Sequence, residues 1–270
     1  MFECIDSGFA AALTLSLQVL DLSRMKTCRV WNARKLAVVQ PGNTFGELNE
    51  ATMKFGLAVP GPSPSQGVAS AALCGGKGLL TRQYGLTLDS LLEVEIVTTD
   101  GKVHKASANY NRELYWAVRG GSGFVGVVTQ FLFKLEPVHA PNVLAGHLVF
   151  PVEWAKEFLY AGRIFDAWMQ VREALPAEAT VQLSMCTPPP ELRGNLNQRP
   201  VHKYGWGSAI TKQDNYWHGK YAHPCLIFTV FYNGGLDEVS TTVFDPLVAL
   251  QPGSWGLLHT ACECSVCMTP

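Results

Sequence analysis

Two glycine-rich segments are the parts of this 270-residue sequence best suited to chemistry. The first reads Cys74-Gly-Gly-Lys-Gly78 and is followed by Tyr84-Gly85. The second reads Arg119-Gly-Gly-Ser-Gly123 and is followed by Gly126. Glycine adopts backbone conformations that other residues avoid and lets a backbone approach another group closely. Each segment taken singly is typical of a turn, but the pair predicts a binding site made of main-chain groups.

Familiar nucleotide-binding motifs do not explain the two segments. Neither ends in the Gly-Lys-Ser/Thr of a Walker A loop, and neither matches G-x-G-x-x-G at the start of a long helix. A nicotinamide-type Rossmann site is therefore not predicted. Together the segments would supply two nests of unhindered backbone N–H groups, which suit a pyrophosphate or the edge of a flavin ring.

Nucleophilic and metal chemistry are less favoured. The chain has no G-x-S-x-G elbow, and its seven histidines stand without a partnered nucleophile nearby. His259 and the run Cys262-x-Cys264-x-x-Cys267 hold soft ligands, but structural zinc sites usually draw ligands from two separated hairpins. We therefore predict no metal site. The remaining cysteines are scattered in apolar surroundings and are expected to be buried free thiols: Cys4, Cys28, Cys74, Cys186 and Cys225.

The segments before residue 80 must position the first glycine-rich segment. Residues 36–40 predict a short strand, and Asn43 or Thr44 would cap a helix that runs through Lys54. Residues 59–78 are crowded with Gly, Pro, Ser and Ala, which favours close backbone approach over a flexible linker. The buried face of the helix is predicted to hold Phe45, Leu48, Ala51 or Thr52, and Phe55.

Strand and helix patterns surround the second segment. Residues 91–105 predict a hairpin with Asp100-Gly101 as a type I′ turn. Residues 111–118 predict a short helix that the second glycine-rich segment breaks, and residues 126–135 predict another strand.

A composition change at Pro137 and Pro141 marks the predicted domain boundary. Beyond it, residues 143–150, 179–186 and 224–232 predict strands, and a further helix is expected after Gly234-Gly235. Helices mixed with hairpins favour an α+β fold over a doubly wound parallel sheet. A helix over residues 152–174 would present a core-facing stripe of Trp154, Phe158, Ala161, Phe165 and Trp168.

Composition and charge exclude several classes of protein. The chain is 47% hydrophobic and 16% charged, which suits a folded core, and its net charge of −1 predicts no nucleic-acid partner. No apolar run is long enough for a transmembrane helix, so no membrane partner is predicted. Residues 8–20 are apolar, but Glu3 and Asp6 precede them, so a buried segment is favoured over a secretory signal and a cytoplasmic location slightly over secretion.

Several longer runs resemble the FAD-linked oxidoreductases of the berberine bridge enzyme-like group, which have a vanillyl-alcohol oxidase type FAD-binding domain. The matching runs are VLDLSRMKTCRV, QPGNTFGELNEAT, GLAVPGPSPSQGV, GGKGLLTRQYGLTLDSLLEVEIVTTDGKV and ELYWAVRGGSGFVGVVTQFLFKLEPV. They cover roughly residues 19–138. The resemblance implies a partial FAD-binding domain at residues 1–138 and a partial α+β substrate domain at residues 139–270.

The resemblance also implies how these segments would wrap FAD. The loop from Gly61 to Gly67, with Ser63 and Ser65, would lie along the isoalloxazine. Tyr84 and Gly85 would close the loop. The residues that would approach the ribityl chain and pyrophosphate are Ser70, Gly75, Gly76 and Gly78, and those that would offer main-chain groups to the adenine end are Gly126, Val127 and Val128.

Departures from the family pattern bear on how FAD would be held. Family members carry an R-S/T-G-G-H segment whose His bonds covalently to the flavin, and residues 1–18 hold no such segment and no His. Many members carry a second attachment Cys where this chain has Ser63. Ala71 replaces a family His, and Phe124 and Val125 replace Asn and Phe. The resemblance therefore predicts non-covalent FAD in a chain truncated at both ends.

The function implied by the resemblance is oxidation of a small organic substrate. Hydride transfer to the flavin with O2 as acceptor is expected, in a tailoring step of secondary-metabolite biosynthesis. The sequence assigns no catalytic base. The alternative is a non-redox remnant or scaffold of the same family without flavin, and flavin binding separates the two hypotheses.

Overall fold

A computed structural model describes residues 20–139, 143–151, 158–186, 225–234, 242–250 and 254–259 of the chain. The described residues fall into two compact units, one within residues 20–139 and the other within residues 143–259. Among the described residues, no helix combines the length and the apolar character needed to cross a membrane.

The first unit is built on a five-stranded sheet with strand order β1-β2-β6-β4-β5, in which every pair is antiparallel. Phe131 and Phe133 of the central strand are fully buried, with their rings stacked 5.8 Å apart. β3 and β7 form a separate two-stranded antiparallel sheet. The strands are β1 (Cys28–Trp31), β2 (Leu36–Val39), β3 (Leu57–Ala58), β4 (Leu91–Val97), β5 (Val103–Ser107), β6 (Val127–Lys134) and β7 (Glu136–Pro137).

Four helices of the first unit are described: α1 (Phe45–Met53), α2 (Val68–Cys74), α3 (Thr81–Tyr84) and α4 (Arg112–Gly121). Thr44 caps α1 as predicted, because its Oγ1 accepts the Glu47 N–H at 3.3 Å while the Glu47 carboxylate accepts the Thr44 N–H at 2.8 Å. The predicted buried face is confirmed except at its end. Phe55 lies beyond the last helical turn and is 47% exposed, and Thr52 rather than Ala51 is buried.

The hairpin between β4 and β5 is present, but its predicted turn type is wrong. Thr98 N–H donates to the Lys102 carbonyl at 3.0 Å, so three residues form the loop. Gly101 has φ +76°, whereas Asp100 is not among the residues with positive φ. A type I′ turn needs positive φ at both central residues, so this is a three-residue loop with glycine in the left-handed position.

Helix α2 was missed in sequence reasoning, because its residues Val68–Cys74 are small and carry no charged pattern. Its last residue, Cys74, is exposed, which corrects the prediction of a buried thiol. Cys28 is a half-buried free thiol, and burial raises its pKa. Cys4 lies outside the described residues, and the side chains of Cys186 and Cys225 do too.

The second unit contains a four-stranded sheet with strand order β11-β8-β10-β9, and its strand pairs are antiparallel. Two helices are described with it. Leu148, Phe150, Phe228 and Ile164 form its buried core. The elements are β8 (Leu144–Pro151), α5 (Phe158–Ala174), β9 (Ala179–Cys186), β10 (Cys225–Tyr232), α6 (Asp245–Val248) and β11 (Ser254–His259). The mixture of helices and antiparallel sheets makes the fold α+β, as predicted.

The predicted aromatic stripe of α5 is wrong at Phe165 and confirmed in part at Trp168, which packs against the core. Ile164, Ala167 and Val171 face the core, whereas Phe165 is 46% exposed and packs edge-on against half-buried Trp168. Both sets recur every three or four residues, so periodicity alone did not choose between them. Trp154 lies outside the described residues, as do the side chains of Phe158 and Ala161. The helix expected after Gly234-Gly235 is described only as α6, and residues 235–241 lie outside the described ranges.

Candidate functional site

The small-residue loop and the first glycine-rich segment meet backbone to backbone. A Cβ added to Gly78 would lie 1.6 Å from the Gly61 carbonyl oxygen, and a Cβ added to Gly61 would lie 2.1 Å from the Phe45 ring. These distances are far below van der Waals contact, so only glycine fits at both positions. The close approach predicted for residues 59–78 is therefore present, and part of it is made to the chain's own backbone.

The buried residue Thr87 stabilises this contact with two hydrogen bonds. Thr87 Oγ1 donates to the Pro60 carbonyl at 2.7 Å, and Thr87 N–H donates to the Gly76 carbonyl at 3.0 Å. The neighbouring Leu88 N–H donates to the Gly75 carbonyl at 3.0 Å. The 3₁₀ turn Thr87–Ser90 therefore holds the loop and the glycine-rich segment in one place.

The same segment presents free main-chain donors. Gly75 and Gly76 have φ of +123° and +69°, which turn the chain sharply after α2. Within the part of the chain that the structure describes, the N–H groups of Gly76 and Lys77 donate to no acceptor. Gly76 is half-buried and Lys77 is exposed, so these two neighbouring donors are accessible to the oxygen atoms of an anionic group.

The serines of the loop occupy distinct positions. The hydroxyls of Ser63 and Ser65 lie 3.1 Å apart, and Ser65 is exposed while Ser63 is half-buried. Gly67 precedes the first turn of α2, where the Ser70 hydroxyl donates to the Gly67 carbonyl at 3.0 Å. The Ser70 hydroxyl thus donates its only proton to the first turn of α2, and its oxygen remains available as an acceptor.

Tyr84 and Gly85 form the turn that precedes the Thr87–Ser90 segment. The Tyr84 hydroxyl donates to the Pro137 carbonyl at 2.7 Å. Gly85 has φ +86°, and a Cβ added there would lie 2.8 Å from the Asp89 carboxylate. That carboxylate accepts the Leu86 N–H at 2.9 Å, so Gly85 is needed to let Asp89 cap the turn.

The second glycine-rich segment begins where α4 breaks. Arg119 has non-helical φ and ψ of −82° and 90°, and Gly120 has φ +94°. The Arg119 guanidinium lies 3.4 Å from both the Leu88 carbonyl and the Asp89 carboxylate, and 5.3 Å from the centre of the Tyr115 ring. Its Nε is buried and has no acceptor among the described residues.

Gly126, Val127 and Val128 are placed by the sheet. A Cβ added to Gly126 would lie 2.3 Å from the Val97 carbonyl oxygen, and Val127 and Val128 pair with β4. On the other side of β6, β2 pairs only with Phe131 to Lys134. Within the described residues, the start of β6 therefore has one unpaired edge that offers main-chain groups to a ligand.

The structure thus brings together Gly61, Gly75, Gly76 and Gly78 around Thr87, with Tyr84 and Gly85 in the adjoining turn. Sequence reasoning missed Thr87, Asp89 and Arg119. Asp89 three residues after Leu86 is a turn signal that could have been used. Arg119 stands out in the sequence only as the residue that begins the second glycine-rich segment. Among the described residues no group of His, Cys, Asp and Glu could hold a metal ion, and the Cys262 cluster lies outside them.

Comparison with known proteins agrees with this geometry. Residues 7–107 match the family described as FAD binding domain. The chain is 40% identical over 140 residues to an FAD-linked oxidoreductase of Dictyostelium discoideum, across 52% of this chain and 30% of the relative. It is 33% identical over 177 residues to berberine bridge enzyme-like 6 of Arabidopsis thaliana, across 63% of this chain and 30% of the relative.

A solved structure shows the same fold over most of the chain. The crystal structure of 6-hydroxy-D-nicotine oxidase from Arthrobacter nicotinovorans is 25% identical, with a TM-score of 0.67, across 90% of this chain and 45% of that one. The chain therefore spans less than half the length of these proteins.

The fold is the vanillyl-alcohol oxidase type FAD-binding fold, and the first unit carries an FAD-binding domain. The chain is a relative of the FAD-linked oxidoreductases of the berberine bridge enzyme-like group. The N–H groups of Gly76 and Lys77, which donate to no acceptor among the described residues, suit the phosphates of FAD.

Proposed function

We propose that this chain is an FAD-linked oxidoreductase that oxidises a small organic substrate by hydride transfer, with O2 as the final acceptor. The proposed setting is a tailoring step in secondary-metabolite biosynthesis. FAD supplies the two-electron chemistry when bound, and the protein supplies binding and orientation. The oxidase named among the solved structures supports the choice of O2.

The observation that carries the proposal is the Thr87-centred cluster. It combines a backbone contact that only glycine permits, between Gly61 and Gly78, with two main-chain donors that lack acceptors. Two neighbouring donors that are accessible and unpaired within the described part of the chain suit the oxygen atoms of a pyrophosphate. We propose that Gly76 and Lys77 donate to the pyrophosphate, and that Gly61, Ser63, Ser65 and Gly67 line the flavin ring.

Two further contacts are proposed, one with the ribityl chain of FAD and one with its adenine end. Ser70 would accept from the ribityl hydroxyls through its oxygen. The unpaired edge of β6 at Gly126, Val127 and Val128 would offer main-chain groups to the adenine end. Ser63 lacks the thiol that forms a thioether with the flavin, so FAD would be held without that covalent bond.

The test is the visible absorption of the purified chain before and after acid precipitation. We expect flavin bands that pass into the supernatant. Gly76→Ala should abolish them, because its Cβ would lie 2.2 Å from Thr87 Oγ1. Gly101→Ala is the matched control, since Gly101 has a similar φ of +76° but no atom within 4 Å of the added Cβ.

Each result decides between hypotheses. Colour that remains in the precipitate would contradict non-covalent binding. A colourless wild-type chain that also fails to bind added FAD would overturn the oxidoreductase proposal and favour the non-redox scaffold. Equal loss of flavin in both glycine variants would show that Gly76 has no special place in the site.

A further inference from the structure

We infer that Arg119 is a positioning residue that fixes the second glycine-rich segment relative to the first. The inference rests on the proposed function in one respect, namely that these segments bind FAD. Arg119 itself is assigned no contact with the cofactor. Its role is to hold the Thr87–Ser90 turn, which in turn holds the cluster around Gly75 and Gly76.

A continuous hydrogen-bond route joins the two segments through one residue. The Arg119 guanidinium donates to the Leu88 carbonyl at 3.4 Å, and the N–H of the same Leu88 donates to the Gly75 carbonyl at 3.0 Å. Asp89, the next residue, faces Arg119 at 3.4 Å as an ion pair. A displacement of Arg119 would therefore be transmitted to Gly75 within two hydrogen bonds.

Tyr115 adds a second contact between α4 and the segment that follows Thr87. It precedes Arg119 by four residues, so both side chains lie on one face of α4. The Tyr115 hydroxyl donates to the Leu91 carbonyl, and its ring lies under the guanidinium at 5.3 Å. The two side chains therefore contact both ends of the segment from Leu88 to Leu91.

The break in α4 begins at Arg119 itself. Its φ and ψ of −82° and 90° leave the helical region, and Gly120 follows at φ +94°. The anchored side chain therefore sits at the point from which the glycine-rich segment departs. Fixing this point sets the path of the residues that follow.

The buried Nε argues that Arg119 is not kept for stability alone. This donor has no acceptor among the described residues, and both guanidinium contacts are long at 3.4 Å. The Arg119–Asp89 ion pair is partly exposed, with side chains 33% and 51% exposed, so it contributes at most about 1 kcal/mol to folding. Positioning, in contrast, requires the hydrogen bonds to Leu88 and Asp89.

The test compares Arg119→Met and Arg119→Lys with Arg112→Met, the control on the same helix. Arg112 is exposed and has no ion pair among the described residues. Met keeps the packing over Tyr115, whereas Lys keeps the charge that faces Asp89. We expect Arg119→Met to raise the FAD dissociation constant about tenfold, with Arg119→Lys in between, as loss of a charged hydrogen bond implies.

Amide hydrogen exchange of the full chain without FAD gives a second readout. We expect Arg119→Met to speed exchange at the hydrogen-bonded amides of Gly75, Gly78 and Leu88 and at residues 120–126. The midpoint of thermal unfolding should stay within about 3 °C of wild type. Asp89→Asn, whose amide oxygen still accepts the Leu86 N–H, should have a smaller effect of the same kind. Arg112→Met should leave both segments unchanged.

Unchanged exchange in Arg119→Met would overturn the inference, whatever the affinity. A lower affinity for Arg119→Lys than for Arg119→Met would also overturn it, because packing rather than charge would then be the cause. If the wild-type chain binds no FAD, the proposed function fails, and the exchange measurement alone decides whether Arg119 couples the two segments.

Discussion

The two units differ in what holds their key residues in place. In the first unit, the candidate site lies where backbone meets backbone, as at Gly61 and Gly78. In the second unit, the sheet and α5 are held by apolar side chains such as Phe150, Phe228 and Ile164. Only glycine fits at such a backbone contact, whereas a packed core accepts different apolar residues of similar volume.

The strongest test of this comparison is Gly78→Ala. Its Cβ would lie 1.6 Å from the Gly61 carbonyl oxygen, so the two backbones must separate. We expect a loss of about 5 kcal/mol or more, at the top of the range for single substitutions, together with loss of FAD binding. Chemical denaturation measures the first effect and flavin absorption the second.

Gly121→Ala is the control for Gly78→Ala, because no atom lies within 4 Å of its added Cβ and its φ is not positive. It should leave stability within about 0.5 kcal/mol of wild type. A Gly78→Ala chain with wild-type stability would show that the backbone contact does not define the first unit.

The second unit should respond to volume rather than to residue type. Phe228 is fully buried and meets Phe150 edge-on at 5.6 Å. We expect Phe228→Ala to cost about 4 kcal/mol through the cavity it leaves, and Phe228→Leu to cost about 1.5 kcal/mol or less. Equal losses for both variants, measured by urea denaturation, would contradict the comparison.

The smallest expected effect is electrostatic and lies in the first unit. The Lys26 ammonium and the Thr44 N–H lower the pKa of Glu47 below its ordinary value of 4.5. A carboxyl with a lowered folded pKa adds stability above its unfolded pKa, and that stability is lost as pH falls through the folded pKa. Glu47 is partly exposed and screened, so its contribution is at most about 1 kcal/mol.

Melting temperatures from pH 7 to pH 3 measure this contribution. Glu47→Gln should be less stable than wild type at pH 7 and should lose less stability below pH 4.5. Glu50→Gln, on the exposed side of α1, is the control and should follow the wild-type curve. Parallel curves for Glu47→Gln and wild type would contradict the capping role of the carboxylate.

Sequence reasoning located most strands because alternation of side chains is a local property. The strands at Leu36–Val39, Leu91–Val97 and Val127–Lys134 lie where the pattern predicts them. Sequence reasoning failed where one local pattern fits two structures. On α5 an aromatic and an aliphatic stripe have the same period, and the core covers Ile164, Ala167 and Val171 while Phe165 is exposed. At Asp100-Gly101 the dipeptide fits two turn types, and strand register selected the three-residue loop.

The sequence by itself determined that two glycine-rich segments and a small-residue loop exist. A glycine indicates that the backbone at its own position has an unusual φ or approaches another group closely. Only the tertiary structure decided how they meet. Thr87 and Arg119 act through hydrogen bonds to residues between 11 and 31 positions away, such as Gly76 and Leu88. Such pairings depend on the path of the chain in space, which no local pattern encodes.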